Sequence, residues 1–510
     1  MKIAIYSHSI PPAVDGVSRR MASLIYHLTR EGHEVLLFTL EKEPQLETAV
    51  APGSIPVRHV AIASTFLSLY PTKKVGTPTP GNQLLIMTTM RRERPDVLHC
   101  TMDGMSPLFM LAAKLCDVPV LGSIHTDIQR LLHELNVWFF VGTMTTEKER
   151  WESKLLDSCA TTSPSFQEKL GRRGVPCDHV INTGVRVALF RPEARKAEVR
   201  HRLTFGNPDG LLVVYVGRFG PEKRLDRLVE MCGTVDGVYL ALIGDGPEAS
   251  SLLERHGSWT NKNGRQTKGG IFCRVGFLGH DDVAPVYASA DAHVSCSHFE
   301  TLGNTVLEAH ACGTCVVVPR TQGFVDTVKH EVDGFLFDGT RLAEGAGFLA
   351  RLRDNREMCR DMGERGRLKV QMQSPERVAQ EMLAWYRKTH ASYRVRSGTE
   401  HERKRERERA TLIADADADF DIATDTDTGG DVLVHVQPTA RLLQGCVALL
   451  QVDKERPGQF VLLQQDFQHV QGDDIDNIHG IDGINCISLI QRVTWALFVF
   501  VCCNTDLFGG

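Results

Sequence analysis

The sequence lacks the features that mark a membrane-spanning, zinc-binding or strongly basic protein. Its 510 residues contain no run of about 18 to 20 consecutive apolar residues, the length that a membrane-spanning helix needs. Its 14 cysteines include no repeated C-x-x-C pair, and the adjacent Cys502 and Cys503 do not have zinc-ribbon spacing. The net charge is −5, so no broad positive field attracts a polyanion. We therefore expect a globular protein that binds no nucleic acid.

Metal-binding patterns are also missing from the sequence. It has no His-x-x-x-His pair and no cluster of cysteines and histidines. The Asp-x-Asp runs at residues 415–421 lie in a low-complexity segment and not ahead of a strand of a predicted cleft. The sequence therefore predicts no metal ion and no other cofactor.

The chain opens on residues 1–6, which have the apolar pattern of a buried strand. A cleaved targeting peptide would precede such a strand and would not include it. Together with scattered cysteines, which we interpret as reduced thiols, this pattern favours the cytoplasm. The alternative is a plastid protein whose targeting segment precedes Met1.

Short apolar runs alternate with amphipathic patterns along the first half of the chain, which predicts a parallel sheet with helices on both faces. Gly32 ends the first helical pattern, and Pro107 suits the first position of a later helix. The predicted strands are residues 2–7, 35–40, 96–100 and 118–123, and the predicted helices are residues 17–31 and a helix from residue 106.

The same alternation begins again near Leu211, after a linker at residues 182–192. We therefore predict two doubly wound α/β domains in tandem. The strands predicted for the second domain are residues 211–216, 238–243, 271–277, 292–295 and 314–319, with a helix over residues 225–231.

A last amphipathic helix is predicted at residues 375–393, where Met382, Trp385 and Tyr386 lie. The mixed charge of HERKRERERA and the low complexity of DADADFDIATDTDTGG follow it. Such a composition cannot bury a core, so we expect residues 397–510 to be disordered and assign them no function.

The strongest functional pattern is E-T-L-G-N-T-V-L-E, from Glu300 to Glu308. Gly303 lies at the start of a helical pattern, where bare N–H groups and the helix dipole favour a phosphate. Glu308 could accept hydrogen bonds from ribose hydroxyls, and Glu300 could hold a sugar hydroxyl. The alternative is two solvated helix glutamates.

A second pattern, G-R-F-G-P-E-K, follows the predicted strand at residues 211–216. Open α/β sheets bind ligands in the loops at the C-terminal ends of their strands. Arg218, as a planar fork, and Lys223, as a point charge, could neutralise a diphosphate there. The alternative is a surface turn with two exposed cations.

Weaker patterns lie elsewhere in the two halves. Gly16 would let backbone amides face the cleft, and Asp15 could cap the first helix, two interpretations that are compatible. His125 follows the end of a predicted strand, where a catalytic and a structural role fit equally well. We interpret the glycines of Gly244-Asp245-Gly246 mainly as turn residues.

In combination these motifs resemble the family 4 retaining glycosyltransferases. G-R-F-G-P-E-K, I-G-D-G-P, V-G-F-L-G-H, E-T-L-G-N-T-V-L-E-A and G-x-x-D-T-V occur in the family's order within residues 1–390. The resemblance implies the GT-B fold, two Rossmann-like domains that face each other across a cleft. It implies an acceptor-side domain at residues 1–185, a nucleotide-sugar domain at 186–374 and a helix at 375–396 that crosses back to the first domain.

The resemblance also implies roles for individual residues. The implied catalytic residues are His125, Arg218, Lys223 and Glu300: the two cations bind the donor diphosphate, Glu300 contacts the donor sugar, and His125 faces that sugar from the first domain. The implied donor-binding residues are Gly16, Phe277, Leu278, Leu302, Gly303, Asn304 and Glu308.

The reaction that the resemblance implies is metal-independent transfer, with retention, from a nucleotide-sugar donor to a lipid or glycan hydroxyl. The motifs are most similar to those of sulfoquinovosyltransferases, which would use UDP-sulfoquinovose and diacylglycerol in peripheral contact with a membrane, and of GDP-mannose-dependent α-mannosyltransferases. A non-catalytic nucleotide-sugar-binding protein is the alternative of another class. The chain departs from its relatives at Gln322 and Arg186, where Gly and Asp are usual, and these departures concern substrates rather than the reaction.

Overall fold

The computed structural model divides into two compact units, residues 1–391 and residues 392–510. Two parallel sheets with helices around them make up the first unit, which confirms the predicted pair of Rossmann-like domains. The structure describes residues 1–13, 15–46, 49–67, 70–130, 139–256, 270–275, 279–397, 422–426, 432–436, 449–452 and 460–464.

The first sheet has seven parallel strands, and its order reverses between the first strand and the strand at residues 97–101. Such a reversal opens a crevice at the C-terminal ends of the two strands. In spatial order the strands are β3 (Arg58–Ala61), β2 (Glu34–Thr39), β1 (Lys2–Ser7), β6 (Val97–Thr101), β7 (Val120–Ile124), β8 (Ser158–Thr161) and β9 (His179–Val180).

Helices flank this sheet. A separate antiparallel pair of strands follows β3 in the sequence and precedes the second helix. The helices are α1 (Gly16–Arg30), α2 (Pro80–Glu93), α3 (Ser106–Leu115), α4 (Phe139–Ser153) and α5 (Pro164–Arg172), and the pair is β4 (Ser64–Leu67) and β5 (Tyr70–Gly76).

Strand β1 shows why the sequence folds in this way, because its side chains are buried on both faces. Ile3 and Ile5 pack in the apolar cluster that includes α1, whereas Ala4 and Tyr6 pack on the opposite face. The Tyr6 ring stacks on Phe109 of α3 with a centroid separation of 4.1 Å. A central parallel strand therefore needs a continuous apolar run, and this run is the pattern from which β1 was predicted.

The second sheet has six parallel strands, and its order reverses between the strands at residues 211–216 and 292–294. The loops that follow those two strands carry the G-R-F-G-P-E-K and E-T-L-G motifs. In spatial order the strands are β12 (Gly270–Val275), β11 (Val238–Gly244), β10 (Leu211–Val216), β13 (Ala292–Val294), β14 (Cys315–Pro319) and β15 (Phe335–Phe337).

Helices cover both faces of the second sheet, and two 3-10 turns, Pro192–Ala194 and Pro221–Lys223, join them to the strands. The helices are α6 (Ala197–Leu203), α7 (Leu225–Gly233), α8 (Ala249–His256), α9 (His280–Ser289), α10 (Asn304–Ala311), α11 (Gln322–Thr327), α12 (Leu342–Asp354) and α13 (Arg356–Val370).

The last helix of the first unit, α14 (Pro375–Ser397), packs on the first domain although it follows the second in sequence. Met382, Trp385 and Tyr386 are buried in the same cluster as Ile3 and Ile5 of β1. The indole N–H of Trp385 donates a hydrogen bond to Ser158 Oγ at 2.6 Å. The helix therefore covers one face of the first sheet and completes that domain's core.

Beyond residue 397 the structure describes four short strands in two antiparallel pairs. We expected residues 397–510 to be disordered and therefore predicted none of these strands. The residues between and after the strands lie outside the described part of the chain. Across the part of the chain that is described, no helix combines the length and the apolar character that crossing a bilayer requires. The strands are β16 (Ile422–Thr426), β17 (Val432–Val436), β18 (Leu449–Val452) and β19 (Phe460–Gln464).

Helix α13 lies against the turn after α10, where a Cβ on Gly363 would be 2.0 Å from the carbonyl oxygen of Gly313. Gly363→Ala should therefore force the two segments apart and lower the free energy of unfolding by about 1–3 kcal/mol. The control, Gly347→Ala in α12, meets no atom within 4 Å and should raise it by roughly 0.5–1 kcal/mol. Urea denaturation compares the variants, and equal stabilities would contradict the close packing.

Candidate active site

The crevices of the two sheets face each other, and hydrogen bonds join their loops. Thr301, in the E-T-L-G loop of the second domain, donates from Oγ1 to the carbonyl oxygen of His125 at 2.7 Å. In return, Thr162 of the first domain donates to the carbonyl oxygen of Thr301 at 3.0 Å. The E-T-L-G motif therefore lies at the junction of the domains, next to the end of β7.

Helix α10 begins beside this junction, after a glycine in the left-handed region. Gly303 has φ +88°, and a Cβ there would lie 2.9 Å from the Phe324 ring, so both conformation and space favour glycine. The first N–H groups of a helix have no partner within the helix. Gly303 and Asn304 therefore place the start of α10 at the edge of the cleft, and the binding of a phosphate by the backbone of Leu302, Gly303 and Asn304 stays a prediction.

The cations of the G-R-F-G-P-E-K loop lie with carboxylates around Tyr215. Lys223 Nζ forms an ion pair with Glu300 Oε1, and Arg218 donates to Glu222 Oε1 at 2.7 Å. Tyr215 donates to the carbonyl oxygen of Arg218 at 2.8 Å. Burial raises the pKa of Tyr215 well above its usual value, and the charges of Glu300 and Glu222 raise it further. The two loops thus form one charged cluster, which favours a binding site over a surface turn.

Glu222 is a component of this cluster that the sequence analysis did not select. Its side chain is 1% exposed, and burial alone would raise its pKa, but Arg218 and Lys223 outweigh burial and the pKa is lowered. The ionised carboxylate fixes the guanidinium of Arg218 at the mouth of the loop. The spacing of four residues between Arg218 and Glu222 was the available signal.

Glu308 is buried in α10 and makes an ion pair with the first domain. Arg19 of α1 donates from Nη1 to Glu308 Oε1 at 2.8 Å. Burial raises the pKa of Glu308, and the charge of Arg19 acts in the opposite direction. The interpretation of Glu308 as a solvated helix glutamate is therefore wrong. Arg19 gave no signal in the sequence, because nothing local to α1 indicates a partner in α10.

The start of α1 confirms Asp15 as its cap, whereas the role of Gly16 stays a prediction. Asp15 caps the helix by accepting from the Ser18 amide at 2.9 Å, and its other oxygen accepts from Ser9 Oγ at 2.7 Å. Gly16 lies close to the second domain, where a Cβ would be 2.7 Å from Asn304 Nδ2. The N-terminus of α1 therefore lies opposite the N-terminus of α10.

His125 is partly buried at the end of β7, and its Nε2 lies 2.8 Å from Ser123 Oγ. Burial and the nearby charge of Arg20 hold the pKa of His125 well below its usual value. The imidazole is therefore neutral at physiological pH. A neutral ring in the cleft can exchange hydrogen bonds with a sugar without adding charge to the site.

Asp127 forms a further contact between the domains. Its buried carboxylate pairs with Lys169 at 2.6 Å and Arg173 at 2.8 Å, and it accepts from Gln322 Nε2 of the second domain at 3.1 Å. Burial alone would raise the pKa of Asp127, but the hydrogen bonds and charges of Arg173 and Lys169 outweigh burial and lower it. Gln322, where relatives usually carry glycine, therefore lies in an interdomain contact.

The sequence also singled out the turn glycine Gly244 and the residues Phe277 and Leu278. A Cβ on Gly244 would lie 1.7 Å from the carbonyl oxygen of Gly217, which supports the structural interpretation of that turn. Phe277 and Leu278 lie outside the described residues, so their contact with the donor base stays a prediction. Over the described ranges, no three His, Cys, Asp or Glu side chains are grouped as metal ligands.

Two family profiles match the chain, one in each domain. The family described as Glycosyltransferase Family 4 matches residues 14–189, and the family described as Glycosyl transferases group 1 matches residues 204–369. The chain is 28% identical over 378 residues to the sulfoquinovosyl transferase SQD2 of Arabidopsis thaliana, a match that covers 72% of this chain and 69% of the relative. It is 27% identical over 387 residues to a GDP-mannose-dependent alpha-mannosyltransferase of Corynebacterium glutamicum, covering 70% of this chain and 83% of the relative.

Solved structures share the fold at lower identity. Anabaena Alr3699/HepE in complex with UDP and glucose superposes with a TM-score of 0.58 at 18% identity, covering 75% of this chain and 98% of that chain. Sucrose-phosphate synthase from Thermosynechococcus elongatus gives 0.60 at 22% identity, covering 77% and 99%. These superpositions show that the two sheets and their arrangement are shared.

Arg19→Gln removes a charged hydrogen bond that joins the domains, so the ligand-free chain should shift toward an open arrangement. Loss of such a bond should change the closing equilibrium by roughly ten- to a hundredfold. Small-angle X-ray scattering should then report a larger radius of gyration. Arg58→Gln is the control, because Arg58 pairs with Glu93 inside the first domain. A radius that is unchanged in both variants would argue against Arg19 as an interdomain contact.

Proposed function

We propose that this chain, which has the GT-B fold and matches two glycosyltransferase family profiles, moves a sugar from a nucleotide-diphosphate sugar to an acceptor hydroxyl, with retention and without a metal ion. The observation that carries the proposal is the cluster of Arg218, Lys223 and Glu300 beside the start of α10. The cluster lies where the sheet order reverses, which is where open α/β folds bind nucleotides.

The leaving group sets the main demand on the site. Negative charge grows on the diphosphate as the glycosidic bond breaks, and fixed cations and dipoles can stabilise it without reorganisation. Arg218 is held in place by Glu222, and the N–H groups at the start of α10 are fixed by Gly303. We assign these groups and Lys223 to the diphosphate.

Binding of the donor would exchange the partners of Lys223 and Glu300. The two side chains pair with each other, so neither charge is left without a partner. The donor brings a diphosphate for Lys223 and a sugar hydroxyl for Glu300. Glu300 then positions the sugar, and the departing phosphate is the base that accepts the acceptor's proton on the same face.

Glu308 has a matching role at the ribose. Burial raises the pKa of this carboxylate and the charge of Arg19 acts against that rise, so the ion pair supports the carboxylate as an acceptor for ribose hydroxyls. Because Arg19 comes from the first domain, the ribose site is complete only when the domains are closed. Closure would also exclude water from the donor.

The donor and acceptor follow from the relatives and not from the geometry. We propose sulfoquinovose from UDP-sulfoquinovose, transferred to diacylglycerol in peripheral contact with a membrane, because a sulfoquinovosyl transferase is among the relatives. GDP-mannose is the second candidate, since an alpha-mannosyltransferase that depends on it matches equally well.

A thermal-shift screen with an excess of EDTA tests the donor class. UDP-sulfoquinovose, other UDP-sugars, GDP-mannose and NAD are compared on the full chain. A true donor at about 100 times its Kd should stabilise the fold by about 2.7 kcal/mol. Stabilisation by NAD alone would contradict the proposed class, and transfer that EDTA abolishes would contradict metal independence.

Lys223→Ala should lower the turnover of the donor by roughly 100- to 1000-fold, because the variant loses one preorganised positive charge that stabilises the leaving diphosphate. The fold should survive with a modestly lower melting temperature, because the variant leaves Glu300 without Lys223 but Glu300 is partly exposed to water. Steady-state kinetics and thermal unfolding measure the two effects. Lys388→Ala, on an exposed position of α14, is the matched control. Normal turnover in Lys223→Ala would remove its diphosphate role.

A further inference from the structure

A chain of buried hydrogen bonds leads from α14 to the cleft. The Tyr386 hydroxyl lies 2.6 Å from His99 Nδ1, His99 Nε2 lies 2.7 Å from Ser123 Oγ, and Ser123 Oγ lies 2.8 Å from His125 Nε2. The side chains of Tyr386, His99 and Ser123 are almost fully buried. We call these four residues the relay.

Tyr386 fixes the direction of the relay. Its phenol is fully buried and has one hydrogen to donate, and His99 Nδ1 is its only hydrogen-bond partner among the described residues. Buried donors are almost always satisfied. Tyr386 therefore donates to His99, and His99 Nδ1 carries a lone pair.

The charge state of His99 determines the next step. Burial and the charge of Arg20 lower the pKa of His99 to about 3, so its ring is neutral and carries a single proton. With Nδ1 accepting, that proton is on Nε2 and is donated to Ser123 Oγ. The Ser123 hydroxyl then donates its own hydrogen to His125 Nε2.

His125 is therefore left with one tautomer. Its ring is also neutral, so an accepting Nε2 requires the proton on Nδ1. That nitrogen has no hydrogen-bond partner among the described residues, and the side chain is partly exposed. The opposite direction of the relay would leave a lone pair there instead of an N–H.

We propose that Tyr386 is a positioning residue that acts through His99 and Ser123 to hold His125 as its Nδ1–H tautomer, which offers an N–H donor to the donor sugar. The sugar as ligand rests on the proposed function, whereas the tautomer rests on the hydrogen bonds alone. Failure of the proposed function would leave the tautomer measurable in the free protein.

The tautomer can be read from long-range imidazole ¹⁵N spectra of the full chain with labelled histidine. His125→Asn identifies the His125 signals. The wild type should show Nδ1–H, and Tyr386→Phe should show a mixture with Nε2–H, because His99 is then free to carry its proton on either nitrogen. Turnover of the donor should fall by roughly tenfold, the loss expected for one hydrogen bond.

Trp385→Phe is the matched control for Tyr386→Phe. It removes a buried hydrogen bond of the same length, to Ser158, from the neighbouring position of the same helix. Trp385 packs edge-on against His99 but makes none of the relay's hydrogen bonds, and phenylalanine keeps an aromatic ring there. Its His125 signals should match the wild type. A general disturbance of α14 would instead change the spectra of both variants.

Two results would overturn the proposal: an Nε2–H tautomer of His125 in the wild type, or a Tyr386→Phe variant that stays folded with the wild-type tautomer. Should Tyr386→Phe fail to fold, Ser123→Ala decides, since it interrupts the relay with a smaller change. In that variant the proposal requires a mixed tautomer, and an unchanged Nδ1–H signal rejects it.

Discussion

A carboxylate that leaves water needs a positive partner, and this constraint organises the cleft. The two glutamates of the E-T-L-G-N-T-V-L-E motif meet it in different ways. Glu300 pairs with Lys223 inside the second domain, whereas Glu308 pairs with Arg19 across the cleft. Both glutamates are therefore neutralised by side chains of the protein itself, and one of the two pairs also joins the domains.

The interior strands of each sheet were predicted, except β8, whereas of the four edge strands only β12 was predicted. Strands β1 and β10 are buried on both faces, so their sequences are continuous apolar runs. Strand β3 at the edge of the first sheet is partly exposed, and its four residues have no such run.

For the site, residues in a local sequence motif could be selected from the sequence, whereas contacts between residues far apart in the sequence could not. Arg218, Lys223, Gly303 and Glu308 were found because each belongs to a motif that follows a strand or opens a helix. Arg19 lies 289 positions from its partner Glu308, and Thr301 lies 176 positions from the carbonyl of His125 that it contacts. Only the three-dimensional fold brings such residues together, and a single sequence contains no record of that proximity.

Helix α14 has a consequence for how this protein can be divided. Its apolar face supplies part of the first domain's core, although its residues follow the whole of the second domain. A fragment that ends at the linker would lose the cover that α14 gives to His99, Ser158 and His179 and would expose the apolar surface beneath that helix to water. Exchange of the first domain between two such proteins therefore requires that α14 come from the same parent as the residues before the linker.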